Sequence, residues 1–195
     1  MFPIFKIFID DSVEGVEKIS LVQSPAVESN FLMFDEEHPE KAFKFEMDEE
    51  EHILFGCAIR ADYPIYRRDS ERGEYYVVFD KQTIKDINER YAKDGNFNNV
   101  NLNHSEDTDG VYMTQMFIKD KENGIDPKNF EDIEDGSLFT AFKVDNEDVW
   151  EKAKNGDFKG FSIEGVFRLM EMPTEQQMEA QEVDEFEQLI NELIN

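Results

Sequence analysis

Cysteine is nearly missing from this 195-residue chain; Cys57 stands alone, so no disulfide can form within it. One thiol suits a reducing compartment, and its place in the apolar run 53–59 reads as a buried small hydrophobe rather than a nucleophile. Positive charge is scarce too: 20 Lys and Arg face 46 Asp and Glu, for a formal net charge of -26. Nucleic acid and anionic membrane surfaces repel such a chain, so neither is an expected partner. No apolar run approaches the roughly 20 residues that span a bilayer. Residues 1–9 are too short a stretch, and too soon followed by Asp10 and Asp11, for a signal peptide. A soluble intracellular protein is expected. Three dispersed histidines and one cysteine give no zinc spacing, and no glycine motif for phosphate occurs. Asp107-Thr108-Asp109-Gly110 resembles part of a calcium loop, but the loop's twelfth position would be Met116 rather than Glu. Neither a cofactor nor a metal is expected.

Apolar material is plentiful: 39% of residues are hydrophobic and 18 are Phe. That suffices for one domain with a proper core, plus an appendage. Residues 2–9 and 16–22 read as strands around a turn at 11–15, and Pro25 then breaks the ladder. Residues 35–51 are dominated by acids and read as an exposed linker or loop. Strand character resumes at 53–60 and 74–79. Between these lie Arg67, Arg68 and Arg72, whose expected partners are acids of this same chain. Asp80 caps a helix to about residue 93, with Ile84, Ile87 and Tyr91 on one face and Gly95 as its stop. Strands follow at 100–104, 111–119 and 137–144. Asn146 or Asp145 opens a short helix ending at Gly156, and residues 158–170 form a last strand. The expected fold class is α+β with a largely antiparallel sheet or barrel.

The expected domain spans residues 1–172, with the 35–51 linker inside it. Residues 173–195 contain no Lys or Arg. Phe186, Leu189, Ile190, Leu193 and Ile194 recur there at helical spacing, an apolar stripe on an acidic amphipathic tail helix.

The chemistry concentrates at Gly160-Phe161-Ser162-Ile163-Glu164-Gly165. Strand alternation sets Ser162 and Glu164 on one face and Phe161 and Ile163 on the other. Glycines at both ends allow close backbone approach. Taken by itself, this is an edge strand with a solvated polar face. His38 and His52, in and beside the acidic stretch, read as solvated. His104 ends a strand and enters a polar turn, where a side chain is held yet reachable. An imidazole gives a serine hydroxyl its missing base, and a carboxylate on the other ring nitrogen holds the tautomer. Glu106, Asp107, Asp109, Glu164 and Glu171 are all candidates for that carboxylate.

Five segments occur in order within residues 15–170: Ile19-Ser20-Leu21-Val22-Gln23-Ser24-Pro25-Ala26, Ile65-Tyr66-Arg67-Arg68, Asn103-His104, Val149-Trp150-Glu151-Lys152 and the glycine-bracketed serine segment. Together they resemble the prohead maturation proteases of tailed phages, in particular the XkdF-like branch. The resemblance implies a serine endopeptidase with the fold of the herpesvirus assemblin clan, a small β-barrel surrounded by helices. It implies Ser162 as nucleophile and His104 as general base. It further implies action in the host cytoplasm, inside the assembling procapsid, on the major capsid and scaffold proteins or on the protease itself, with a homo-oligomer allowed.

In better-known members the Ser-Leu-Val segment follows the nucleophile and carries a Glu just ahead of it. Here it precedes everything, and Lys18 holds that position. Glu164 is then the expected third member and Glu17 the runner-up, with a water-supported His–Ser pair as a further alternative. The rival reading is a non-catalytic acidic scaffold or capsid-assembly module that retains the fold.

Overall fold

A computed structural model of the chain describes residues 2–10, 14–23 and 45–173. Twelve strands form three four-stranded sheets within these residues. The first sheet has the order β12-β1-β6-β5, built from β1 (Ile4–Phe8), β5 (Ile65–Asp69), β6 (Gly73–Phe79) and β12 (Arg168–Glu171). The second has the order β3-β4-β10-β9: β3 (Glu46–Asp48), β4 (Ile53–Ile59), β9 (Val111–Ile118) and β10 (Leu138–Val144). The third, β11-β2-β7-β8, joins β2 (Gly15–Val22), β7 (Val100–Leu102), β8 (Glu106–Asp107) and β11 (Gly160–Val166). Pairing is antiparallel except for β1 with β6 and β2 with β7.

The expected β-rich α+β class is therefore present, but none of the three sheets closes into a barrel among the described residues. The physical reason lies where β11 meets β4. Those strands pack through side chains and share no ladder. Phe161 lies over Gly56, where an added Cβ would come within 3.5 Å of the Phe161 ring and 3.1 Å of the Phe45 backbone. Aromatic packing fills the place that closure would give to hydrogen bonds.

Both helices follow their capping signals. Helix α1 (Lys81–Asp94) starts at Asp80, whose side chain accepts from Thr83 N, and stops at left-handed Gly95; its buried face holds Ile84, Ile87 and Tyr91. Helix α2 (Glu147–Lys154) is capped by Asn146 and buries Val149, Trp150 and Ala153. The proposed last strand divides into β11 and β12, which belong to different sheets. The chain turns at a register shift between Glu164 and Gly165, where an added Cβ would stand 1.9 Å from Gly15 O, so only glycine fits.

Two readings are corrected. The end of the acidic stretch is not a loop: Phe45 is buried and β3 forms an edge strand on β4. His52 is not simply solvated; its ring stacks on Trp150 with centroids 4.5 Å apart. His38 and the tail helix lie outside the described residues. Cys57 is buried beside Phe130, Ile133 and Phe139, and that desolvation pushes its thiol up to about 12, which fits an inert hydrophobe. Arg72 pairs with Asp69 and Glu71, as expected for an internal ion pair. Among the described residues no helix is long and apolar enough to cross a membrane.

Candidate active site

The third sheet brings together residues far apart in sequence. Its central strand β2 carries Ser20, which lies opposite Ser162 on β11 and opposite Asn101 on β7. Directly opposed residues share a sheet face, and alternation adds Lys18 and Glu164 to the same face. The back of β11 is apolar: Phe161 is buried against Phe45 and Phe142, and Ile163 packs on the core. Hydrophobic burial thus fixes which way the polar row points.

His104 reaches this row from a tight turn. Asn103 and His104 both have left-handed backbone, with φ of 49° and 58°. Two consecutive non-glycine residues in that region are strained and need support from their surroundings. The exit of β2 supplies it: Asn103 N donates to Leu21 O at 2.9 Å, and Gln23 N donates to Asn103 Oδ1 at 3.0 Å.

Glu164 Oε1 is the hub. It accepts from Ser20 Oγ at 2.7 Å and from Asn101 Nδ2 at 2.5 Å, and His104 Nδ1 lies 3.0 Å away. Ser20 Oγ is also 3.0 Å from His104 Nδ1. Burial pushes the Glu164 carboxyl up, but the bonds from Ser20, Asn101 and His104 outweigh it and hold the group below its ordinary 4.5. An ionised carboxylate only accepts, and the single Ser20 hydroxyl proton already points to Oε1. Nδ1 therefore carries the ring proton in neutral His104, and the lone pair is on Nε2. None of the described hydrogen bonds engages Nε2.

The remaining candidates fall away from the hub. Glu17 alternates with Lys18 on β2, so it is on the opposite face. Asp107 holds Lys18 Nζ at 2.7 Å, drawing that ammonium toward β8 although Lys18 is the residue directly opposite Glu164. Glu106 is exposed on β8, Asp109 contributes a carbonyl to Asn146, and Glu171 sits in the first sheet. Of the carboxylates considered, Glu164 is the one that meets His104.

Ser162 is mostly buried, with 7% of its surface exposed. No described hydrogen bond links it to His104. Ser162 lines a small space of about 10 Å³ together with Ile59, Ile65, Arg67 and Phe79, room for about one water and too small for a substrate side chain. Two wider grooves, about 590 and 670 Å³, lie along α1 and along β3–β4 and hold no serine, histidine or cysteine. The chemically equipped surface and the large concavities do not coincide. No cluster of three or more potential metal ligands occurs among the described residues.

Sequence reading missed Ser20 and Asn101 as members of the site. The available signal was a lone hydroxyl in the apolar run Ile19-Ser20-Leu21-Val22, because a polar group buried in such a strand requires a partner.

Residues 42–171 match the family described as "Putative phage serine protease XkdF". The chain belongs to that family. No curated protein matches the chain, and no solved structure does. The family match starts after β2, so Ser20 lies outside it while Asn101, His104, Ser162 and Glu164 lie within it. Lys18, also outside the matched residues, lies directly across the ladder from Glu164.

Proposed function

We propose that this protein is a serine endopeptidase of phage capsid maturation, with Ser162 as nucleophile, His104 as general base and Glu164 as the carboxylate that orients the base. One observation carries the reading: Glu164 and Ser20 occupy the Nδ1 side of His104, no described hydrogen bond engages its Nε2, and Ser162 lies across the ladder from Ser20 on the same sheet face. Ser20 is the other hydroxyl nearby, but it is fully buried and already donates to Glu164, whereas Ser162 retains some exposure. Bonds between base and nucleophile are often long in the resting enzyme and tighten with substrate bound.

In the reaction, Ser162 Oγ forms a bond to the scissile carbonyl carbon as its proton passes to His104 Nε2. The imidazolium, stabilised by Glu164, then returns that proton to the leaving amine as the C–N bond breaks. Water, deprotonated by the same nitrogen, hydrolyses the acyl-enzyme and restores the hydroxyl.

The family supports a phage substrate, and major capsid and scaffold proteins inside the procapsid are the substrates we assign. A net charge of -26 suits docking on basic protein surfaces and keeps the enzyme away from nucleic acid. The test is co-expression with the phage's capsid and scaffold proteins, wild type beside Ser162→Ala, with intact mass spectrometry of the products. Discrete fragments that vanish in the variant are expected. Identical fragments in both, or none while procapsids form normally, would replace this reading with a non-catalytic assembly module.

A further inference from the structure

We infer that Ser20 is a positioning residue whose buried hydroxyl ties the carboxylate to the imidazole, so that Glu164 and His104 act as one unit. The inference rests on the assignment of His104 as base, and adds a fourth member supplied by a strand outside the family match.

Ser20 Oγ, His104 Nδ1 and Glu164 Oε1 form a closed triangle with sides of 3.0, 2.7 and 3.0 Å. Ser20 is 0% exposed, so water cannot substitute for its hydroxyl without displacing β2. His104 and Glu164 are much more open, with side chains 41% and 34% exposed. An exposed ion pair is weak and easily rearranged. A buried hydroxyl contacting both partners from below holds each at hydrogen-bond distance from a fixed point. Ser20 is itself fixed, because β2 is paired on both edges, by β11 and by β7. The other charges near the pair are Lys18 on β2, joined to Asp107 on β8, and exposed Glu106. None of them touches Nδ1 among the described contacts.

Two volume-matched variants separate hydroxyl from packing: Ser20→Thr keeps an O–H, and Ser20→Val has nearly the same shape without one. Both crowd the buried site equally, so any folding cost is shared. For cleavage of a peptide taken from the mapped cleavage site, kcat of Ser20→Val should fall by about 10²-fold with KM little changed, the scale of a small misplacement of a catalytic group. Ser20→Thr should exceed Ser20→Val by at least about tenfold. A second readout is independent of cleavage: the imidazole proton resonance of Nδ1–H in His104 should be sharp and protected from exchange in wild type and Ser20→Thr, and broadened in Ser20→Val.

Equal behaviour of the Thr and Val variants in both readouts would overturn the inference and leave the peptidase reading intact. Protection of Nδ1–H that depends on the hydroxyl, in a protein that cleaves nothing, would sustain it while removing that reading. Cleavage that survives Ser162→Ala but not Ser20→Thr would make Ser20 the nucleophile and overturn both.

Discussion

A carboxylate oxygen that meets Ser20, Asn101 and His104 at once cannot move without disturbing three contacts. Two consequences belong to this residue scale. Glu164→Gln preserves shape but removes the charge that stabilises the imidazolium, so kcat should fall by about 10³-fold or more while KM changes little. The same carboxyl is held below its ordinary 4.5. Its contribution to stability is therefore complete above that value and is lost as pH falls through the lower folded pKa. Melting temperatures on either side of pH 4.5 should diverge less in Glu164→Gln than in wild type, since depressed Asp69, Asp80 and Asp120 are common to both. An unchanged acid limb would show that the three contacts confer no linkage. Alternation made the shared face of Ser162 and Glu164 legible in the sequence, and the strand end exposed His104. Ser20 was not legible as a partner because 84 residues separate it from His104 and 144 from Glu164.

Among the elements, the strand carrying Ser162 is held by its back rather than by a second ladder. The Phe161 ring packs at a tilt on Phe45 and Phe142, with centroids 5.6 and 5.2 Å away, and among the described residues β11 has no ladder partner on the β4 side. Phe161→Ala should cost about 3–5 kcal/mol in denaturant unfolding, the usual range for a buried Phe. It should also lower kcat, because the adjacent Ser162 loses its backing. A variant as stable as wild type would mean that β11 is held by other means. Capped elements were the most legible: Asp80 and Gly95 mark both ends of α1, and Asn146 marks the start of α2. Strand β5 was hidden by its arginines. Arg67 is half-buried, and desolvation lowers its pKa; it donates to the Tyr66 carbonyl. The expected barrel failed for a reason invisible to periodicity, namely that the Phe161 ring lies over Gly56 where β11 meets β4.

The whole molecule carries 26 more negative than positive charges, and that repulsion acts against compactness. Raising salt from about 0.01 to 0.15 M shortens the Debye length from about 30 to 8 Å. Melting temperature should rise across that interval, by about 2–4 °C for each kcal/mol of repulsion screened. A fall would indicate that local pairs such as Lys18–Asp107 outweigh the global field. Lys119 illustrates the opposite strategy: its fully buried ammonium donates to the carbonyls of Phe130 and Ile133 and pairs with Asp126, gathering an acidic loop around one cation.

The order of strands in the third sheet also fixes when its polar row can first assemble. Strand β2 emerges early from the ribosome, but its antiparallel neighbour β11 follows more than a hundred residues later, and Glu164 trails Ser20 by 144 residues. At about 5–20 residues per second, roughly 7–30 s pass between the two. During that interval Ser20, and later His104, lack the carboxylate that both of them meet. Synthesis itself is the delay: the cluster of Ser20, His104 and Glu164 exists only once the chain has been made as far as residue 164.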